Sequence, residues 1–137
     1  IRMKETLKVG LEKTSRHTID KDRTIGFMGD DCLVYGTPNL LYDIEILCRD
    51  LLLEHSDPGE DSVGTSVKLD HTGPTLLTMW VEITAKVTEV NGRAINFEVT
   101  AKDALEQVAR CKHSRFVVDV ESTRKRLLGK LAKAQTL

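Results

Sequence analysis

The chain has 137 residues, 40% of them hydrophobic and 30% charged, with a formal net charge of -1; that suffices for one domain with a real core and is too short for two. So balanced a charge gives no electrostatic basis for holding nucleic acid or a membrane surface, and 4% aromatic residues leave few platforms for stacking single strands. Cys32, Cys48 and Cys111 are odd in number, widely spaced and without a metal-ligand pattern, so they read as reduced thiols of a cytoplasmic protein that holds no metal.

No segment is long enough for a membrane span, and the charged stretch from Arg2 to Lys13 lacks the apolar region of a signal peptide. The first stretch, Lys4 to Thr18, mixes Leu7, Val9, Leu11 and the following Ile19 with charges and predicts one or two short strands. From Asp20 to Tyr35, glycines and aspartates surround isolated apolar residues (Ile25, Phe27, Met28, Leu33, Val34), the pattern of a long loop or short helical turns, and loops of that length often cover a site.

Thr37 to His55 predicts the longest helix. It opens on Thr-Pro, stops before Ser56-Asp57-Pro58-Gly59, and places Leu40, Leu41, Ile44, Leu47, Cys48, Leu51 and Leu52 at helical spacing. Thr37 suits the N-cap and Pro38 the first helical position, where a missing N–H does no harm. Glu45 interrupts the apolar stripe: at about 100° per residue, Leu41, Cys48 and Leu52 project within roughly 60° of it, whereas Asn39, Asp43, Asp50 and Glu54 point away. A carboxylate in that position needs a partner or a chemical role, because its burial without compensation costs several kcal/mol or raises its pKa. The plainer alternative is an ion pair with Arg49, one turn further along.

Beyond the helix, Val63, Thr65, Val67, Leu69 and His71 share one face of an alternating strand, with Gly64, Ser66, Lys68 and Asp70 on the other. A second strand from Leu76 to Val90 carries Met79, Val81, Ile83, Ala85 and Val87 inward and ends at Asn91-Gly92, a strong hairpin signal. Ile95, Phe97, Val99 and Ala101 mark the return strand, Val108 to Val120 the last one, and Ser122 to Lys133 a basic terminal helix or tail. Such a sheet wraps around the long helix, in a single α+β domain spanning 1–137, and its open edges favour a homodimer.

His71 follows the inward face beside Asp70, and a lone inward histidine is ordinarily a hydrogen-bonded core residue. Should it meet Glu45 inside an apolar cavity, the two form an acid–base or nucleophile-activating unit. His17, His55 and His113 read as structural or solvent-facing. There is no nucleotide-type glycine loop, Gly-x-Ser-x-Gly elbow or paired-cysteine metal site, and the Asp20, Asp22, Asp30 and Asp31 cluster lacks calcium-loop spacing.

From Thr37 to Arg115 the chain resembles the fluoroacetyl-CoA thioesterase-like family of the hot-dog fold. The resemblance rests on Gly36-Thr37, Glu45, Asp57-Pro58-Gly59-Glu60, Gly64-Thr65, His71-Thr72 and His113-x-Arg115, in order and without gaps. It implies a long central helix wrapped by an antiparallel sheet, a dimer with its site at the interface, and hydrolysis of an acyl-CoA carrying a short or small acyl group. Coenzyme A is then part of the substrate and no separate cofactor is expected. Thr37, Glu45 and His71 match the family's catalytic triad: Glu45 attacks the carbonyl or activates water, His71 assists as acid–base, and Thr37 orients the carboxylate. Gly64 matches a glycine whose N–H approaches the carbonyl oxygen, and Arg115 an arginine that contacts coenzyme A. Pro38, Ala109 and Cys111 replace family glycines, and Asp30-Asp31 lacks the aromatic character of the fluoroacetyl-specific enzyme's lid. The competing readings are a non-catalytic acyl-CoA or small-ligand binding protein, and a hot-dog hydratase, for which no aspartate-to-histidine pattern is present.

Overall fold

In the computed structural model, which describes residues 5–137, the elements in chain order are β1 (Glu12–Thr18), β2 (Thr24–Ile25), β3 (Val34–Tyr35), α1 (Thr37–Leu53), β4 (Glu60–His71), β5 (Trp80–Asn91), β6 (Ala94–Lys102), β7 (Gln107–Asp119) and α2 (Val120–Ala134). Of the expected first strand, Leu11 to Thr18 is close to β1, while Lys4 lies outside the described residues. The Asp20 to Tyr35 stretch is a single turn at Lys21–Arg23 followed by the two-residue ladder β2–β3.

Five strands form one antiparallel sheet in the order β1-β5-β6-β7-β4, so β1 and β4 are its edges. Alternation drives this arrangement: Val81, Ile83, Ala85, Val87, Ile95, Phe97, Val99 and Ala101 are each at most 1% exposed. Those side chains all leave one face of the sheet, and α1 lies across that face with Leu40, Ile44, Leu47, Cys48, Leu51 and Leu52 buried against it. β5 and β6 are joined through Asn91-Gly92, and Gly92 has φ of 60°, the left-handed backbone that a tight hairpin requires.

Three sequence expectations are corrected here. The N-cap of α1 is Gly36, not Thr37: Thr37 and Pro38 are the first helical residues, and no side chain caps the helix. A Cβ on Gly36 would stand 2.4 Å from Asn39 Oδ1 and 2.6 Å from Ile25, which leaves room for glycine alone. Next, Val63 and Thr65 do not share the inward face with Val67. The register shifts between Gly64 and Ser66, a β-bulge, so Gly64 faces α1 while Val63 pairs with the half-exposed Phe116 on the outer face.

Asp43 is the third correction, being buried where the helical wheel pointed it outward. Its Oδ2 accepts a 2.5 Å bond from the Tyr35 hydroxyl and a 3.0 Å bond from Arg23 Nε. These partners satisfy the charge that burial would otherwise penalise. Arg49, the alternative partner for Glu45, instead grips Asp61 at the start of β4 with two bonds of 2.9 and 2.8 Å. The terminal helix α2 is present but buries no residue.

Candidate active site

Two clusters lie on the inner face, one at each end of the track where α1 passes β4. At the first, the exposed Thr37 side chain, released from capping, places its hydroxyl 2.8 Å from His71 Nδ1. Burial lowers the His71 pKa below its ordinary value, and the ring's Nε2 is enclosed without a hydrogen-bond partner. The buried Tyr35 ring meets the His71 ring edge-on, with centroids 6.3 Å apart. A cavity of about 380 Å³ opens beside this pair, walled by Ile25, Phe27, Val34 and Tyr35.

The second cluster forms around Glu45. Its side chain is 41% exposed, at the margin of the apolar stripe, and Oε2 accepts a 3.1 Å charged hydrogen bond from Arg115. Arg115 is only 4% exposed and heavily engaged: Nε donates to Ser62 Oγ at 2.8 Å, a second guanidinium nitrogen donates to the Ser62 carbonyl at 2.9 Å, and a third also lies 3.2 Å from His113 Nε2. Gly64 comes so close that a Cβ there would stand 2.9 Å from Glu45 Oε2 and 3.3 Å from His113. The carboxylate is therefore held against a strand backbone that carries no side chain at that point.

Of the two readings that the sequence leaves, structural or solvent-facing, His113 fits the structural one. It is 1% exposed, its Nδ1–H donates to the Ser66 carbonyl at 2.9 Å, and Nε2 is left to accept from Arg115. Burial, helped by the Arg115 charge, lowers its pKa, in keeping with that neutral tautomer. The alternation of Cys111, His113, Arg115 and Val117 along the last strand is the signal that would have placed it inside. Tyr35 and Ser62 carried no comparable sequence signal, since their roles come from residues distant along the chain.

Within one chain, then, Thr37 meets His71 and Glu45 meets Arg115, but Glu45 and His71 make no bond to each other. Eight residues of α1 separate Thr37 from Glu45, about 12 Å of helix axis. Among the described residues no group of three or more His, Cys, Asp or Glu is arranged to hold a metal ion, and no helix is long and apolar enough to cross a membrane. Cys48 and Cys111 are free and buried, and burial pushes their thiols up to about 12 and about 11, which keeps them protonated.

Solved structures share this architecture. The fluoroacetyl-CoA thioesterase FlK superposes with a TM-score of 0.84 at 23% identity, covering 92% of this chain and 98% of that one. A thioesterase-superfamily protein from Thermus thermophilus gives 0.84 at 19% identity, over 96% and 98% of the two chains. A hot-dog-like protein from Thermanaerovibrio acidaminovorans gives 0.82 at 22%, over 89% and 91%. The fold is thus the hot-dog fold. In sequence, the fluoroacetyl-CoA thioesterase of Streptantibioticus cattleyicolor is 25% identical over 126 residues, which cover 87% of this chain and 91% of that protein. The family model for fluoroacetyl-CoA-specific thioesterases matches residues 19–121, a stretch that runs from before β2 through the whole of β7 and takes in both clusters. On that match the chain belongs to the fluoroacetyl-CoA-specific thioesterase family, a family of thioester hydrolases.

Proposed function

We propose that the protein hydrolyses an acyl-CoA with a short or otherwise small acyl group, at a site that two copies of the chain build together. The observation that carries this reading is the separation of the two clusters. Thr37 and His71 sit at the end of β4, Glu45 and Gly64 nearer its start, and β4 is an open twelve-residue edge with Val63 and Val67 more than 40% exposed. An antiparallel pairing of two β4 edges about a two-fold axis near Val67–Lys68 covers those valines. It also sets Gly64 across from His71 of the second copy, so that each Thr37–His71 pair faces the other copy's Glu45.

In such a site Glu45 attacks the thioester carbonyl carbon or takes the proton from the water that does. The negative charge gathers on the carbonyl oxygen beside the Gly64 backbone, then the C–S bond breaks and the thiolate leaves. In the water route it takes the proton removed from the attacking water, passed on through His71. In the covalent route a water opens the acyl–Glu45 anhydride, releases the acid, restores the carboxylate and supplies that proton. Thr37 fixes His71 by its hydroxyl. Because the Arg115 guanidinium is committed to Ser62, His113 and Glu45, we assign it to holding the Glu45 carboxylate in place in addition to any contact with coenzyme A. The 2.8 Å Thr37–His71 bond also favours a second reading, in which the Thr37 oxygen is the attacking group and His71 takes its proton.

Thiol release from a panel of short acyl-CoA substrates tests the proposal. Glu45→Gln keeps the size and a hydrogen-bond acceptor but removes the charge, and is expected to lower kcat by two orders of magnitude or more, roughly the range for a lost general base. Residual turnover in Thr37→Ala speaks for Glu45 or water as the attacking group; none speaks for Thr37. A folded wild-type dimer that releases thiol from no substrate overturns hydrolysis and leaves a protein that binds acyl-CoA.

A further inference from the structure

The cavity beside Thr37 and His71 has a chemical character that narrows the acyl group, and this step rests on the hydrolase reading above. None of its lining residues is Asp, Glu, Lys or Arg. Its only ionisable members are His71, which burial keeps neutral near pH 7, and Tyr35. Tyr35 presents its ring to the cavity region and sends its hydroxyl away, into the bond with Asp43 that Arg23 completes. The charge of that buried pair is therefore spent behind the wall and does not reach the cavity. Ile25, Val34 and the Phe27 ring complete an apolar surface, and Phe27, 92% exposed, stands at its outer side.

We infer that this cavity is the acyl pocket, and that it takes an uncharged, apolar acyl group of about four to eight carbons in preference to acetyl or to a dicarboxylic acyl group. Size supports the upper part of that range. The cavity, broadly open on one side, has about 380 Å³, more than a two-carbon acyl group fills. Charge excludes the dicarboxylic class, because a second carboxylate entering here meets no counter-ion and must shed its water. Each methylene moved from water into an apolar pocket is worth about fourfold in equilibrium, and a partly open pocket returns a fraction of that.

The test is kcat/KM for acetyl-, butyryl-, hexanoyl-, octanoyl- and succinyl-CoA with the wild-type protein and Phe27→Ala, an exposed position whose truncation does not disturb the core. A rise of at least tenfold from acetyl to hexanoyl is expected, with succinyl at least a hundredfold below butyryl. In Phe27→Ala the hexanoyl-to-acetyl ratio falls by threefold or more. Equal values for acetyl and hexanoyl, succinyl turnover matching butyryl, or an unchanged ratio in Phe27→Ala overturns the assignment while leaving hydrolysis intact. If no substrate is turned over, hydrolysis fails, and calorimetric titration of the same protein with acetyl- and hexanoyl-CoA still reads the pocket: tenfold tighter hexanoyl binding sustains it, and equal binding overturns it.

Discussion

Two carboxylates on α1 exchange the places that the helical wheel assigned them, and the exchange shows what periodicity can see. With the buried arc centred between Ile44 and Leu51, Asp43 and Glu45 fall on its opposite margins, each about 100° from the centre. On a margin, long-range partners decide. Asp43 is enclosed because Arg23 and Tyr35, 20 and 8 residues earlier, come to it; Glu45 stays at the rim because its partner, Arg115, is 70 residues later. The same logic governs the buried His113 and the half-buried His71, whose lowered pKa values make stability depend on pH. Well above pH 6.5 both rings are neutral, folded or unfolded. As pH drops through 6.5 the unfolded chain takes up protons that the folded chain refuses, so stability is lost until the lowered folded values are passed. We expect the melting temperature to fall on going from pH 7.5 to 5.5, and to fall less in His113→Gln; equal drops in both proteins would remove His113 from this account.

At the scale of elements, the two helices contain the same residue doing different work. Leu40 in α1 is fully buried under the sheet, whereas Leu128 in α2 is 59% exposed and α2 buries nothing. Leu40→Ala is expected to cost about 2–5 kcal/mol through lost transfer energy and the cavity left behind. Leu128→Ala should stay within about 0.5 kcal/mol. Urea unfolding of both variants checks the contrast, and a similar loss in each would mean that α2 is packed in solution. This difference was hidden in the sequence, where both helices show leucines at helical spacing. β6 and the body of β5 were legible because strict alternation and Asn91-Gly92 are local signals, although β5 starts at Trp80 and not at the expected Leu76. The start of β4 was not, since one bulged residue near Thr65 resets the phase and turns Val63 outward. Likewise Thr37 looked like a cap from its neighbours alone, and only the fold brings it His71. Thr37, Glu45 and His71 stood out in the sequence as a group, whereas the fold sets them in two pairs, Thr37 with His71 and Glu45 with Arg115. That separation follows from the antiparallel passage of α1 along β4, which no local pattern encodes.

For the whole molecule, that separation makes a dimeric site a question with a countable answer. Suppose Glu45→Gln and His71→Ala chains are purified as inactive dimers, then unfolded together, refolded in equal amounts and assayed. If Glu45 serves the Thr37–His71 pair of its own chain, every site in the mixture lacks one residue and activity stays at the level of the parents. If Glu45 serves the other chain, a mixed dimer has one site with both changes and one with neither. Random pairing makes half of the dimers mixed, so about a quarter of wild-type activity should return, all of it in the mixed species. Two different affinity tags isolate that species and should raise its specific activity to about half of wild type, as one intact site of two requires. A charge on the β4 edge supplies the matching control. Val67→Lys places a cation at the middle of the proposed strand pairing, across from Lys68 of the partner subunit, where like charges oppose each other. It should yield a folded monomer without hydrolytic activity even though Thr37, Glu45 and His71 are all present in each chain, whereas an active monomer would show that one copy suffices.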